Sequence, residues 1–211
     1  MTAALVGCFT VVAVTNWWAV GTGRRPVVVA TKPLATALLV AMAATAGSID
    51  GGARVTLVVA AVFGLLGDVA LLFDGDLAFM AGLGSFALGH AAFVATALLV
   101  GVTWTTALLA VPFLAVLLGW RFLPQTVPGA RRAGGPPLMA AVLGYAVVIS
   151  AMVLTATGTG RWAAATGAMS FAASDWVLGY NRFVRPISHA GVIVMVTYHV
   201  GQLLLILGLA A

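Results

Sequence analysis

The sequence predicts an all-α fold, a polytopic membrane helical bundle of about eight transmembrane helices, and three observations carry that expectation. Hydrophobic residues make up 63% of the 211-residue chain and charged residues only 7%, with a mean hydropathy of +1.14, whereas a soluble domain carries roughly 25% charge. The apolar residues fall into runs close to the roughly 20 that a helix needs to cross a hydrocarbon core about 30 Å thick. The runs are joined by short connections and use nearly the whole chain, so a single integral membrane domain, 1–211, is expected.

Span 1, about 2–22, has no Lys or Arg before its apolar stretch, so it reads as a retained helix rather than a signal peptide. LVGC at 5–8 has the look of a lipoprotein cleavage box, but the four residues before it are too few for the basic and apolar regions of such a signal. Cys8 is the single cysteine, which excludes an internal disulfide. Span 2 runs over about 27–46, and span 3, about 55–73, ends within the stretch GLLGDVALLFDGD at 64–76. In span 4, about 77–100, Ala81, Ser85 and Gly89 stack small residues on one face and let a neighbouring helix approach. Beside them Phe79, Gly82, Phe86, Gly89 and Phe93 recur at three- and four-residue intervals and read as a helix-packing stripe.

Span 5, about 102–120, is followed by the longest connection, RFLPQTVPGARRAGGPP at 121–137. Its four prolines and three glycines predict an irregular, flexible loop. Spans 6, 7 and 8 cover about 136–157, 162–180 and 187–210. The loop 121–135 divides the chain into sets of four spans, 1–120 and 136–211. GDVAL at 67–71 and SDWVL at 174–178 share a small residue, Asp and Leu in the third span of each set, a short signal of duplication to set against one undivided bundle.

The net charge of +5 belongs to loop residues, which makes it an orientation signal and not a nucleic-acid surface. Arg24, Arg25, Arg121, Arg131, Arg132, Arg182 and Arg185 lie in odd-numbered loops, and only Arg54 and Arg161 in even-numbered ones. The excess places the odd loops in the cytoplasm of a multi-pass cell-membrane protein and both termini on the other side.

Five ionisable residues fall inside the spans: Lys32, Asp68, His90, Asp175 and His199. Each costs at least about 2.5 kcal/mol on insertion scales, and such residues normally face the bundle interior or a water-filled cavity. At 1.5 Å per residue, Lys32, Asp68 and Asp175 come out roughly 8 to 9 Å from the cytoplasmic ends of spans 2, 3 and 7. His90 and His199 come out deeper, near the midplane. One polar cavity open to the cytoplasmic leaflet, with the carboxylates and Lys32 at its mouth and imidazoles at its floor, satisfies all five. The bland readings differ by residue: Lys32 snorkelling along its own stem, a structural ion pair of Lys32 with an aspartate, and interior histidines bonded to backbone carbonyls. Asp74 and Asp76 read as a solvated turn, and His189 as interfacial. No two histidines have i, i+4 spacing, and His189 lies at another depth, so no metal and no cofactor is expected.

These residues resemble the YhhN/TMEM86 membrane proteins, whose characterised members are lysoplasmalogenases. The resemblance lies in KP at Lys32 and Pro33, GLLGDVALL at 64–72, and the series Phe79, Gly82, Phe86, Gly89 and His90. It continues through Ser174 and Asp175 to Tyr198 with Gln202. Phe93, where a tyrosine is common, and His199 beside Tyr198 depart from the pattern. The resemblance implies hydrolysis of the vinyl ether bond of a lysoplasmalogen, a single-chain lysophospholipid held in the bilayer, to a fatty aldehyde and glycerophosphoethanolamine or glycerophosphocholine. Such a reaction protonates the outer alkene carbon and lets water trap the oxocarbenium ion. It needs a proton donor and a nearby negative charge, roles that two carboxylates in unlike surroundings can divide. Asp68 and Asp175, with His90, are the expected catalytic residues; Lys32, Tyr198, His199 and Gln202 are expected to bind substrate or position water. Buried Asp, His and Lys also make ion relays, so a transporter or proton-coupled carrier is the competing expectation. It requires a polar path through the whole membrane, whereas the outer halves of spans 2, 3 and 7 hold almost no strong polar groups.

Overall fold

The computed structural model describes residues 2–211, and the regular elements among them are all helical. The chain forms α1 (Thr2–Gly21), α2 (Arg25–Ala44), α3 (Gly51–Ala70) and α4 (Asp76–Val100). It continues through the short α5 (Trp104–Ala107), a tight turn at Leu108–Ala110, α6 (Val111–Leu117) and a wide π-type segment at Leu118–Thr126. The last three helices are α7 (Val127–Gly158), α8 (Trp162–Phe183) and α9 (Ala190–Ala210).

Local chemistry sets the boundaries. Asp50 caps α3 by accepting the Ala53 N–H at 2.8 Å, which satisfies one orphan donor of the first turn. Gly75, at φ +107°, makes the reversal between α3 and α4, a conformation that a side chain disfavours. Pro33 inside α2 removes one backbone donor immediately after Lys32.

Six helices are long and apolar enough to cross a membrane, which makes the chain a multi-pass membrane protein. Trp104–Gly158 counts as one of the six, yet its ends meet, with Thr103 N–H donating to Gly158 O at 2.8 Å. That stretch therefore doubles back and holds two of the eight segments expected from the sequence. The 22-residue α8 falls outside the six, since Ser170, Ser174, Asp175, Asn181 and Arg182 lower its hydropathy.

The expected irregular loop at 121–137 is instead mostly helical. Pro128 sits in the first turn of α7, where a missing N–H costs no hydrogen bond, and Pro124 lies in the wide π-type segment. The break is confined to Gly134 (φ −144°, ψ 21°) and Gly135 (φ 70°, ψ −166°), immediately before Pro136 and Pro137. Prolines here start helical segments and do not dissolve them.

The helices form a closed ring, α1 against α2, then α3, α4, α7, α8 and α9, which returns to α1. α9 is drawn inward and also meets α2, α3 and α4. Absent side chains permit this: Gly167 backs onto the Leu205 backbone, Gly208 onto that of Ala164, and a Cβ on Gly201 would lie 2.7 Å from Phe171 N. Between α3 and α4 the expected small-residue face is shifted. Gly89 lies against Ala60 O and the Ser85 hydroxyl donates to Phe63 O at 2.8 Å, but Ala81 is exposed and Gly82 takes its place.

Candidate active site

Inward placement of α9 brings Tyr198 to α3. Its hydroxyl donates to Asp68 Oδ2 at 2.6 Å, and the Thr36 hydroxyl donates to the same oxygen. Lys32 Nζ, one turn before Thr36 on α2, lies 3.4 Å from Asp68 Oδ1. The Lys32 side chain is 8% exposed and that of Asp68 1%, so the lysine does not snorkel away and the carboxylate is enclosed by three donors from two helices, α2 and α9. A carboxylate that accepts two hydroxyls and pairs with an ammonium has the partner set of an ionised group.

A second cluster lies on α4, α7 and α8. The Tyr145 hydroxyl donates to Asp175 Oδ2 at 2.5 Å, and His90 Nε2 is 2.8 Å from the Tyr145 oxygen and 3.4 Å from Asp175 Oδ2. With Nε2 protonated, Nε2–H donates to the tyrosine oxygen and the tyrosine O–H donates to the carboxyl, the His90 tautomer setting the sense of the relay. His90 is therefore in direct contact with Asp175 and not on a separate floor above it. Tyr145 was not singled out in the sequence. Its signal was being the one tyrosine of span 6.

Phe86 and Phe171 stand between the two clusters. The Phe171 ring is 4.7 Å from that of His90 and 5.1 Å from that of Tyr198, while Phe86 lies 5.8 Å from Tyr198. The single polar cavity expected from the sequence is thus two carboxyl clusters with an aromatic partition. The depth estimate could not see this, because level along a helix says nothing of which face a residue occupies.

His199 joins neither cluster. Its Nδ1 accepts from Trp17 Nε1 at 2.9 Å and Phe9 packs edge-on at 5.9 Å, so it faces α1. Gln202 is buried against Gly64, where a Cβ would come within 2.7 Å of its Nε2, and both ends of the amide lack a protein partner. Asp74 and Asp76 pair with Arg25 at 3.5 Å and Arg182 at 2.8 Å in exposed positions, as a solvated turn should.

Two spaces adjoin the clusters. A narrow apolar chamber of about 50 Å³ is lined by Phe79, Leu83, Phe86, Phe122, Val142 and Phe183 and ends at Tyr145 and Asp175. That is well below the roughly 300–1,000 Å³ of small-molecule pockets, so it admits only a short stretch of a ligand. A second, open cleft has Lys32 at its base with Asp74, Asn181 and Arg182 around it. Leu71, Phe79 and Leu178 line both spaces. Arg182 is steered by its guanidinium lying 3.9 Å over the Phe79 ring. Of the two carboxyls inside the spans, Asp175 and not Asp68 reaches a cavity, at 16% side-chain exposure.

The model of the YhhN family matches residues 27–209. Lysoplasmalogenase TMEM86B of Sus scrofa is 31% identical over 167 residues, covering 76% of this chain and 66% of that protein. Lysoplasmalogenase TMEM86B of Homo sapiens is 30% identical over 165 residues, covering 75% of this chain and 65% of that protein. The chain thus spans just under two thirds of the length of both relatives. No solved structure matches.

Proposed function

The chain belongs to the YhhN family, and from that premise and the cavity at Asp175 we propose a lysoplasmalogenase that hydrolyses the vinyl ether of a single-chain lysophospholipid. The observation that carries this reading is one carboxyl, Asp175, at the end of an apolar chamber that adjoins a cationic cleft. The vinyl ether end of the alkenyl chain enters the narrow chamber, the rest of the chain stays in the bilayer, and the headgroup phosphate lies in the cleft between Lys32 and Arg182. The vinyl ether then falls beside Leu71, Phe79 and Leu178, next to Asp175.

Tyr145 occupies Asp175 Oδ2 as a donor, which leaves Oδ1 to carry the acidic proton. That proton passes to the outer alkene carbon, the π electrons become the new C–H bond, and the adjacent carbon becomes an oxocarbenium centre. The Asp175 carboxylate so formed offsets the cation. Water adds to the cationic carbon and returns a proton to Asp175, and the hemiacetal collapses to an aldehyde and the glycerophospho-alcohol. His90 and Tyr145 hold the carboxyl in place and keep Oδ1 turned to the substrate. Asp68 is the ionised partner of Lys32, and with Tyr198 it fixes one wall of the site. Gln202, with both amide ends free, holds a water behind that wall, where buried polar groups bind one readily. His199 serves packing against α1.

The test is aldehyde release by purified protein in reconstituted membranes from a lysoplasmalogen and from its saturated-ether analogue. Release from the first alone is expected, reduced in Asp175→Asn by the 10²- to 10⁴-fold typical of a lost general acid. Undiminished release by Asp175→Asn sinks the mechanism, and substrate-dependent proton flux without aldehyde makes the protein a carrier.

A further inference from the structure

We infer that the cleft between the π-type segment Leu118–Thr126 and the α8–α9 connection binds the phosphate headgroup of an anionic phospholipid, separate from the reaction site. The cleft is lined by Trp120, Arg121, Trp176, Tyr180, Arg185 and Ser188. Trp120 and Trp176 stack in parallel, 6.1 Å apart at 8°, and Tyr180 continues the stack at 5.3 Å from Trp176. Arg121 lies 5.2 Å from the Trp120 ring and 5.8 Å from that of Tyr180, and it donates to Tyr180 Oη at 3.2 Å and to Gln125 at 3.4 Å. Its partners are therefore neutral, and they hold the guanidinium in position without cancelling its charge.

The rest of the molecule cannot supply the missing anion. The sequence holds five acidic residues, all aspartates. Asp50 caps α3, Asp68 pairs with Lys32, Asp74 with Arg25, Asp76 with Arg182, and Asp175 is held by Tyr145 and His90. Two guanidiniums thus converge on a concave, aromatic-walled site with no carboxylate left for either. Guanidinium groups take phosphate oxygens in a bidentate fork. Trp120 and Leu123 on the same segment are exposed apolar side chains, so the rim of the cleft faces lipid. The anion with access to such a rim is a membrane lipid, and basic residues at the surface attract anionic headgroups. Trp176 also lines a small apolar pocket that contains Tyr145 and Asp175, so the bound lipid abuts the wall of the reaction site.

The test uses the full chain in nanodiscs of phosphatidylcholine with a minor fraction of phosphatidylglycerol, read by native mass spectrometry of the lipids retained. Wild type is expected to retain one phosphatidylglycerol, and Arg121→Gln/Arg185→Gln to bind it roughly thirtyfold more weakly. Arg24→Gln, at a separate rim position, is the folding and charge control and is expected to keep it. Equal retention by the double variant overturns the site, as does an equal loss in Arg24→Gln, which means diffuse charge. Displacement by millimolar inorganic phosphate overturns the assignment to a lipid. Because no turnover is measured, the outcome is independent of whether the protein cleaves vinyl ethers.

Discussion

Charge in an apolar helix was visible at once, and Asp68, Lys32, Asp175 and His90 are all within hydrogen-bond or ion-pair reach of one another in twos. Their neutral partners were not visible, because Thr36 and Tyr145 are ordinary in a membrane span until a carboxylate is placed opposite. A more telling sign was available: each of the three tyrosines bonds an ionisable side chain, Tyr145 to Asp175, Tyr180 to Arg121 and Tyr198 to Asp68. Two predictions belong at this scale. Asp68→Asn leaves Lys32 buried without its counter-ion, a loss of about 3–5 kcal/mol for a broken buried pair. Lys32→Met/Asp68→Asn is expected to recover most of that, measured as melting temperature in detergent, while a double variant no more stable than the single one argues that Lys32 has another partner. Tyr145→Phe removes the donor that orients Asp175, so aldehyde release should fall at least tenfold with melting temperature nearly unchanged. A variant that melts early instead would make Tyr145 a packing residue.

Among the elements, α1 to α4 were legible because each is a clean apolar run between polar turns. The segment 104–158 was legible as apolar but not as shape, since prolines read as breakers serve there as helix starters. The seam between α8 and α9 was missed for a different reason: its glycines, at 167, 201 and 208, lie on two helices, and a repeat within one helix is easier to see than a match between two. That seam sets where Tyr198 meets Asp68, so its geometry belongs to the site. Gly208→Val would push α9 off Ala164, and overpacking of this kind costs typically about 1–3 kcal/mol. Gly144→Val, at a glycine with open space around its α-carbon, should be tolerated. Comparable melting temperatures for the two variants would show that α8 and α9 do not close on each other as described.

At the scale of the whole molecule, the cationic cleft opens where the α1–α2, α3–α4 and α8–α9 connections meet. Val20, Val28, Phe73, Asp74, Asn181 and Gly191 all line it. Arg24, Arg25, Arg182 and Arg185 lie in those same connections or on the helix turns beside them, whereas Arg54 and Arg161 lie at the starts of α3 and α8, at the other end. The residues that orient the chain and those proposed to receive a headgroup therefore share one end, so on the proposed function orientation also decides which leaflet supplies substrate. Lys/Arg excess marks the cytoplasmic side, and we predict that the cleft faces it. In a Cys8→Ala background, exposed Ser188→Cys should react with a membrane-impermeant maleimide only in inside-out vesicles, and exposed Ser48→Cys only in right-side-out ones. A lysolipid delivered to the cytoplasmic leaflet of oriented proteoliposomes should then be turned over without a lag, and one delivered to the opposite leaflet only as fast as it crosses. The reverse labelling pattern would put the cleft outside and make the opposite leaflet the source.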